Sequence, residues 1–133
     1  MQIGHFTLTE FVRSRVALHN GIDNTAPSDV LPNLMFTMER MELVRGILMR
    51  PILIHSGYRC LELNKAVGGS KNSQHMTGEA CDFSSPSFGT NREIVTKLVD
   101  HVEELGIDQM ILEYSWVHVS FSRNPRHSVL YFG

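Results

Sequence analysis

Ser73-Gln74-His75-Met76-Thr77-Gly78-Glu79-Ala80-Cys81-Asp82 and, further on, Trp116-Val117-His118-Val119-Ser120 are the two stretches on which the reading of this chain turns. The first sets a His and an Asp seven positions apart, with the small residues Gly78 and Ala80 between them. The second sets a lone His in an apolar, strand-like run, with Glu113 ahead of it. Strand alternation sends Val117 and Val119 to one face and His118 to the other. Two imidazoles and one carboxylate can hold a zinc ion and leave its fourth position open for water, the mark of catalytic rather than structural sites. A nearby carboxylate can then act as general base on that water. A metallohydrolase is therefore the leading hypothesis. A satisfied buried histidine is the plainer reading of His118 taken alone.

Outward from these stretches the chain reads as short alternating elements. Thr7-Leu8-Thr9-Glu10 has the form of a capping box, which starts a short helix over roughly 9–17. Asn20 to Pro27 is loop by its turn residues. Ser28 and Asp29 are candidate caps for a longer helix through about Met49, with Leu31, Leu34, Met35, Met38, Met41, Leu43, Ile47 and Leu48 as its apolar stripe. The methionines of this helix fit core filling better than a soft binding groove. Pro51 to Ser56 is a β-branched-rich strand ended by Gly57. Leu61 to Val67 is one or two helical turns, and Gly68 to Ser73 a flexible loop. Ala80 to Phe83 is a second strand. Thr90 with Glu93 forms another capping box, opening a helix that Gly106 stops. Gln109–Glu113 and Val117–Phe121 form a hairpin that brings Glu113 near His118. The tail is polar until Val129. No internal repeat or linker is visible, so residues 1–133 form a single domain.

Composition sets the outer limits. At 133 residues the chain can bury a core without metal staples, and 42% hydrophobic content is ordinary for a globular protein. A formal charge of −2 gives no basic patch for nucleic acid. No run approaches the roughly 18 apolar residues of a membrane span, so no membrane insertion is expected. The N-terminus lacks a basic start followed by an apolar run, and the expected location is the cytoplasm as synthesised. Cys60 and Cys81 make no disulfide framework and read as thiols. Cys81 and Asp82 point to opposite faces of their strand, so one alone can face a metal. Cys81 fits a buried apolar role.

Four stretches in order carry a resemblance: Ser56-Gly57-Tyr58-Arg59, Asn64 with Val67-Gly68-Gly69, the S-x-H-x-x-G-x-A-x-D run of 73–82, and Trp116 to Ser120. Together they resemble the zinc D-alanyl-D-alanine carboxypeptidase family, which includes the L-alanyl-D-glutamate endopeptidases of phage endolysins and shares its fold with the Hedgehog signalling domain. The resemblance runs from about Phe6 to Phe121. It implies an α+β fold, a small antiparallel sheet with flanking helices. It implies Zn2+ held by His75, Asp82 and His118, with Glu113 as general base. It implies that Arg59 holds a substrate carboxylate, and that Ser73 and Gln74 lie near the bound peptide. One departure stands out: many members place the base three residues before the last His, whereas Glu113 is five before His118 and position 115 is a serine. Glu79 is the fallback base, and His55 is either a supporting group or an ordinary strand residue.

The function so implied is hydrolysis of an amide bond in the peptidoglycan stem peptide, at D-Ala-D-Ala or at L-Ala-D-Glu. Without a visible leader, such an enzyme suits phage lysis, with a holin-type partner releasing it to act on the cell wall. A cytoplasmic dipeptidase is a further variant. The alternative class is a non-catalytic zinc-binding module, or a phage structural protein reusing the fold.

Overall fold

The computed structural model describes residues 1–132. Two short N-terminal strands, β1 (Gln2–Ile3) and β2 (Phe6–Thr7), pair antiparallel. Then come the helices α1 (Leu8–Val12), α2 (Arg15–His19) and α3 (Leu31–Leu48). Strand β3 (Leu53–Ser56), helix α4 (Leu61–Ala66), a 3-10 turn over Gln74–Thr77 and strand β4 (Ala80–Ser84) form the middle of the chain. Helix α5 (Asn91–Leu98), a 3-10 turn over Val99–His101 and helix α6 (Val102–Leu105) lead into strands β5 (Ile107–Leu112), β6 (Val117–Phe121) and β7 (Ser128–Tyr131).

The main sheet has the order β3-β4-β6-β5-β7. Its first four strands are antiparallel, and β7 adds to β5 in parallel. The fold is thus the expected α+β arrangement with one parallel edge added. The sequence hides β7 because Val129 is half-buried and Leu130 and Tyr131 are exposed, so no clean alternation marks it.

Both capping boxes form, Thr7 with Glu10 and Thr90 with Glu93. The helix expected over 9–17 breaks in two. Arg13 and Ser14 are extended, and the Ser14 hydroxyl accepts from the Ala17 amide to restart the chain as α2. A serine hydroxyl that can satisfy a free amide makes such a restart cheap. Ser28 and Asp29 do not cap α3. They lie in a turn where Pro27 O accepts from the Val30 and Leu31 amides, and the helix begins with Pro32 in its first turn. Proline is favoured there because its missing N–H has no helical partner anyway. Leu34, Met38, Met41, Val44 and Leu48 form the buried stripe of α3, whereas Met35 and Leu43 are exposed. Met38 and Met41 therefore fill core, as their spacing suggests.

Helix α3 packs against β6, α5 and α6, and the core joins it to Cys81 and Phe83 of β4, Val117 and Val119 of β6, and Met110 and Leu112 of β5. That fixes which face of the sheet is left for polar residues.

Candidate metal centre

The register across the sheet assembles the site. Asp82 is paired directly with His118, Ser56 lies beside Asp82, and Ile111 lies beside His118. Ser56, Asp82, His118 and Ile111 thus form one row across four strands, on the face opposite the core. Cys81 points the other way into that core, where burial pushes its thiol pKa well up.

His75 reaches this row from outside the sheet. Its 3-10 turn is capped by Ser73, whose hydroxyl accepts from the His75 amide. Gly78 ends the turn at φ 79°, a conformation glycine adopts without a Cβ penalty. The Arg59 amide donates to His75 O at 3.0 Å, which locks the turn to the end of β3. The His75 ring is buried, and its Nδ1 lies 2.7 Å from Gly57 O. A carbonyl partner makes Nδ1 the protonated nitrogen and leaves Nε2 with a free lone pair.

That Nε2 is buried and has no hydrogen-bond partner. It lies 3.3 Å from Asp82 Oδ1, and the same oxygen lies 2.9 Å from His118 Nδ1. The three donor atoms are all within 4.8 Å of one another. The rings of His75 and His118 meet edge to face, 5.2 Å between centroids. Burial pushes the Asp82 carboxyl pKa upward, but the hydrogen bond from His118 and the proximity of both imidazoles outweigh it and hold the group ionised, well below the usual carboxylate range. A buried, unpartnered imidazole nitrogen converging on an ionised carboxylate and a second imidazole fits a divalent cation with nitrogen and oxygen ligands.

Beside Asp82 opens a cleft of about 830 Å³, whose walls include Ser56, Tyr58, Arg59 and Trp116. Arg59 is half-buried and its Nε has no hydrogen-bond partner. Burial lowers its pKa, and Asp82 partly restores it. An under-satisfied guanidinium on a cleft wall is a ready partner for a carboxylate.

Residues 4–120 match the Peptidase M15 family model. The chain belongs to the peptidase M15 family. Over 58 residues it is also 36% identical to the zinc D-Ala-D-Ala carboxypeptidase of Streptomyces albus G, an alignment covering 43% of this chain and 23% of that protein. The chain thus spans less than a quarter of that relative.

In this M15 chain the other anticipated residues fall in different places. The Glu113 amide donates to Trp116 O at 3.1 Å, closing a hairpin loop of Tyr114 and Ser115. Glu113 and Trp116 therefore stand on the His118 face, one row beyond it. Trp116 lines the main cleft, whereas Glu113 lines a smaller neighbouring one with Ser84, Asn91 and Tyr114. Glu79 accepts a hydrogen bond from the Thr77 hydroxyl at 2.6 Å, which binds it to its own turn. His55 lines the main cleft and bonds to the Ser84 hydroxyl.

Ser73 and Gln74 are not on the main cleft's wall. Gln74 donates through Nε2 to Asp108 Oδ2 at 2.9 Å. Asp108 is buried, and Arg126 grips it through Nε, Nη2 and its backbone amide. This cluster braces the turn that carries His75 against the start of β5. One weak sign of it is legible beforehand: a charged residue, Asp108, stands in the otherwise strand-forming run from Ile107 to Ile111. The Gly57 carbonyl, which holds the His75 ring, is a further support that residue type alone does not announce.

No helix of the described residues is long and apolar enough to cross a membrane.

Proposed function

We propose that this protein is a zinc metallopeptidase that hydrolyses an amide bond in the peptidoglycan stem peptide. His75, Asp82 and His118 are the metal ligands, Glu113 the general base, and Arg59 the clamp for a substrate carboxylate. The observation that carries the reading is the buried His75 Nε2, unpartnered and 3.3 Å from Oδ1 of Asp82, which itself lines an arginine-bearing cleft. Membership of a peptidase family and the partial likeness to a zinc D-Ala-D-Ala carboxypeptidase support it.

When bound, the zinc supplies Lewis acidity toward the scissile carbonyl and a water acidified to a pKa of about 7. The chain's residues do the rest. Gly57 O holds the His75 ring in one tautomer through Nδ1. Arg59 orients the stem peptide by its carboxylate. Glu113 takes a proton from the attacking water and returns it to the leaving amine nitrogen. Stem peptides carry free carboxylates at the D-Ala terminus and on D-Glu, so both the D-Ala-D-Ala and the L-Ala-D-Glu bond suit the clamp. The substrate lies in the cell wall, and the protein acts there.

Digestion of purified peptidoglycan with and without a chelator, read by mass spectrometry, tests the proposal. Chelator-sensitive release of peptides supports it, and the new termini name the bond. The position of Glu113 in the side cleft favours one second reading, a zinc-binding module without turnover. A zinc-loaded protein that releases nothing from the wall selects that reading.

A further inference from the structure

The main cleft is positively charged in a protein whose formal charge is −2. Arg13, Arg15 and Arg59 lie on its wall, and the only carboxylate there is Asp82, already committed to two imidazoles. None of the three arginines has an ion-pair partner among the described residues. Arg126, by contrast, is fully engaged with Asp108.

The placement of Arg13 and Arg15 depends on the break between α1 and α2. In one continuous helix two residues two apart point about 200° from each other, so both could not face one cleft. The extended backbone at Arg13 and Ser14, and the restart capped by Ser14, put both on the same wall. Beside them the wall is apolar and exposed, with Val16, Leu18, Leu53 and Trp116. A ligand matching this surface has methyl or methylene groups interspersed with anionic groups.

We infer that Arg13 and Arg15 form a second carboxylate subsite at the mouth of the cleft, distinct from Arg59, which selects stem peptides with free carboxylates over stems whose carboxylates are amidated. The inference rests on the stem-peptide reading and deepens it by naming the chemical form of the stem. Guanidinium groups accept a carboxylate as a charge-assisted, forked partner, and a carboxamide offers neither the charge nor two acceptors. Exposed pairs of this kind are individually weak, so the two arginines together account for most of a roughly tenfold preference.

The test is calorimetric binding to the zinc-loaded protein of two synthetic stem pentapeptides ending in D-Ala-D-Ala, which contain both candidate bonds. One carries free carboxylates on D-Glu and on its diamino acid, and the other carries carboxamides there. The wild type should bind the free acid about tenfold more tightly, and the ratio should shrink as salt rises. In Arg13→Gln/Arg15→Gln the ratio should fall several-fold, any remainder being the share of Arg59, and Arg13→Lys/Arg15→Lys should recover part of it. Equal binding of both peptides by the wild type, no binding of either, or a ratio untouched by the glutamine pair overturns the subsite. Turnover is scored separately on the same peptides. Selective binding without cleavage keeps the subsite and sinks the peptidase reading, whereas cleavage without selectivity does the reverse.

Discussion

Replacing Gly57 with alanine should damage fold and metal site together, through a single methyl group. A Cβ there would lie 2.3 Å from Phe11 O and 2.8 Å from Phe11 Cα, well inside the 3.0 Å that real Cβ contacts respect. Both atoms are backbone, so no side chain can swing away, and the two segments must part by about 1 Å. Overpacking of this kind costs about 1–3 kcal/mol. The 2.7 Å hydrogen bond from the Tyr58 amide to Phe11 O is stretched at the same time, adding about 1 kcal/mol. Together these should lower the melting temperature of the metal-free protein by about 10 °C. The Gly57 carbonyl moves with its chain, and it is the partner that orients His75 Nδ1. Loss of such an orienting partner weakens metal binding by about 10–100-fold. The assays are thermal melting of the metal-free protein and zinc competition against a chromophoric chelator. A Gly57→Ala protein with wild-type melting and wild-type zinc affinity would refute the close-approach argument and the role of the carbonyl.

Three further outcomes follow from the same contacts. Hydrogen bonds from Arg126 hold the Asp108 carboxyl down at about 2, against burial that pushes it up. A carboxyl depressed in the folded state contributes stability above its unfolded pKa of about 4 and loses it as pH falls toward 2. Asp108→Asn should therefore cost about 1–3 kcal/mol at neutral pH and flatten the loss of stability between about pH 4 and 2; an unchanged acid-unfolding curve contradicts this. At Gly69 an added Cβ would lie 2.1 Å from Asn64 Oδ1 and 2.8 Å from Arg59 Nη1. Gly69→Ala should displace the guanidinium and raise KM about tenfold with a smaller effect on kcat, whereas an unaltered KM removes Arg59 from the clamp role. Glu113→Gln should keep stoichiometric zinc and lose at least about 100-fold in kcat; a fully active variant would mean that another group moves the proton.

Much of the fold was legible because its signals are local. Thr7 with Glu10 and Thr90 with Glu93 announce their helices, and the Val117-His118-Val119 alternation fixes which face each side chain takes. Asp82 and His118 each sit between core residues on their own strand, so each turns to the face away from the core, but their direct pairing comes from the sheet register. What stayed hidden depends on contacts distant in sequence. The break at Ser14 is a choice between one helix and two, settled by a hydroxyl that restarts the second. The edge strand β7 is half-exposed and shows itself only through its pairing with β5. Gln74, with Ser73 the family-implied neighbour of the peptide, is instead tied to Asp108 across 34 residues, a partner no local pattern reveals. The hairpin turns Glu113 to the His118 face, whereas its position in the side cleft depends on neighbours from α5 and β4.

Every other role proposed for the site depends on metal binding by His75, Asp82 and His118. The most direct measurement is the metal content of the dialysed protein by mass spectrometry, beside His75→Ala, Asp82→Ala and His118→Ala. We expect one zinc per wild-type chain and none retained by any of the three folded variants. Stoichiometric zinc in a folded Asp82→Ala protein, or a wild type that holds none when zinc is supplied, would contradict the account.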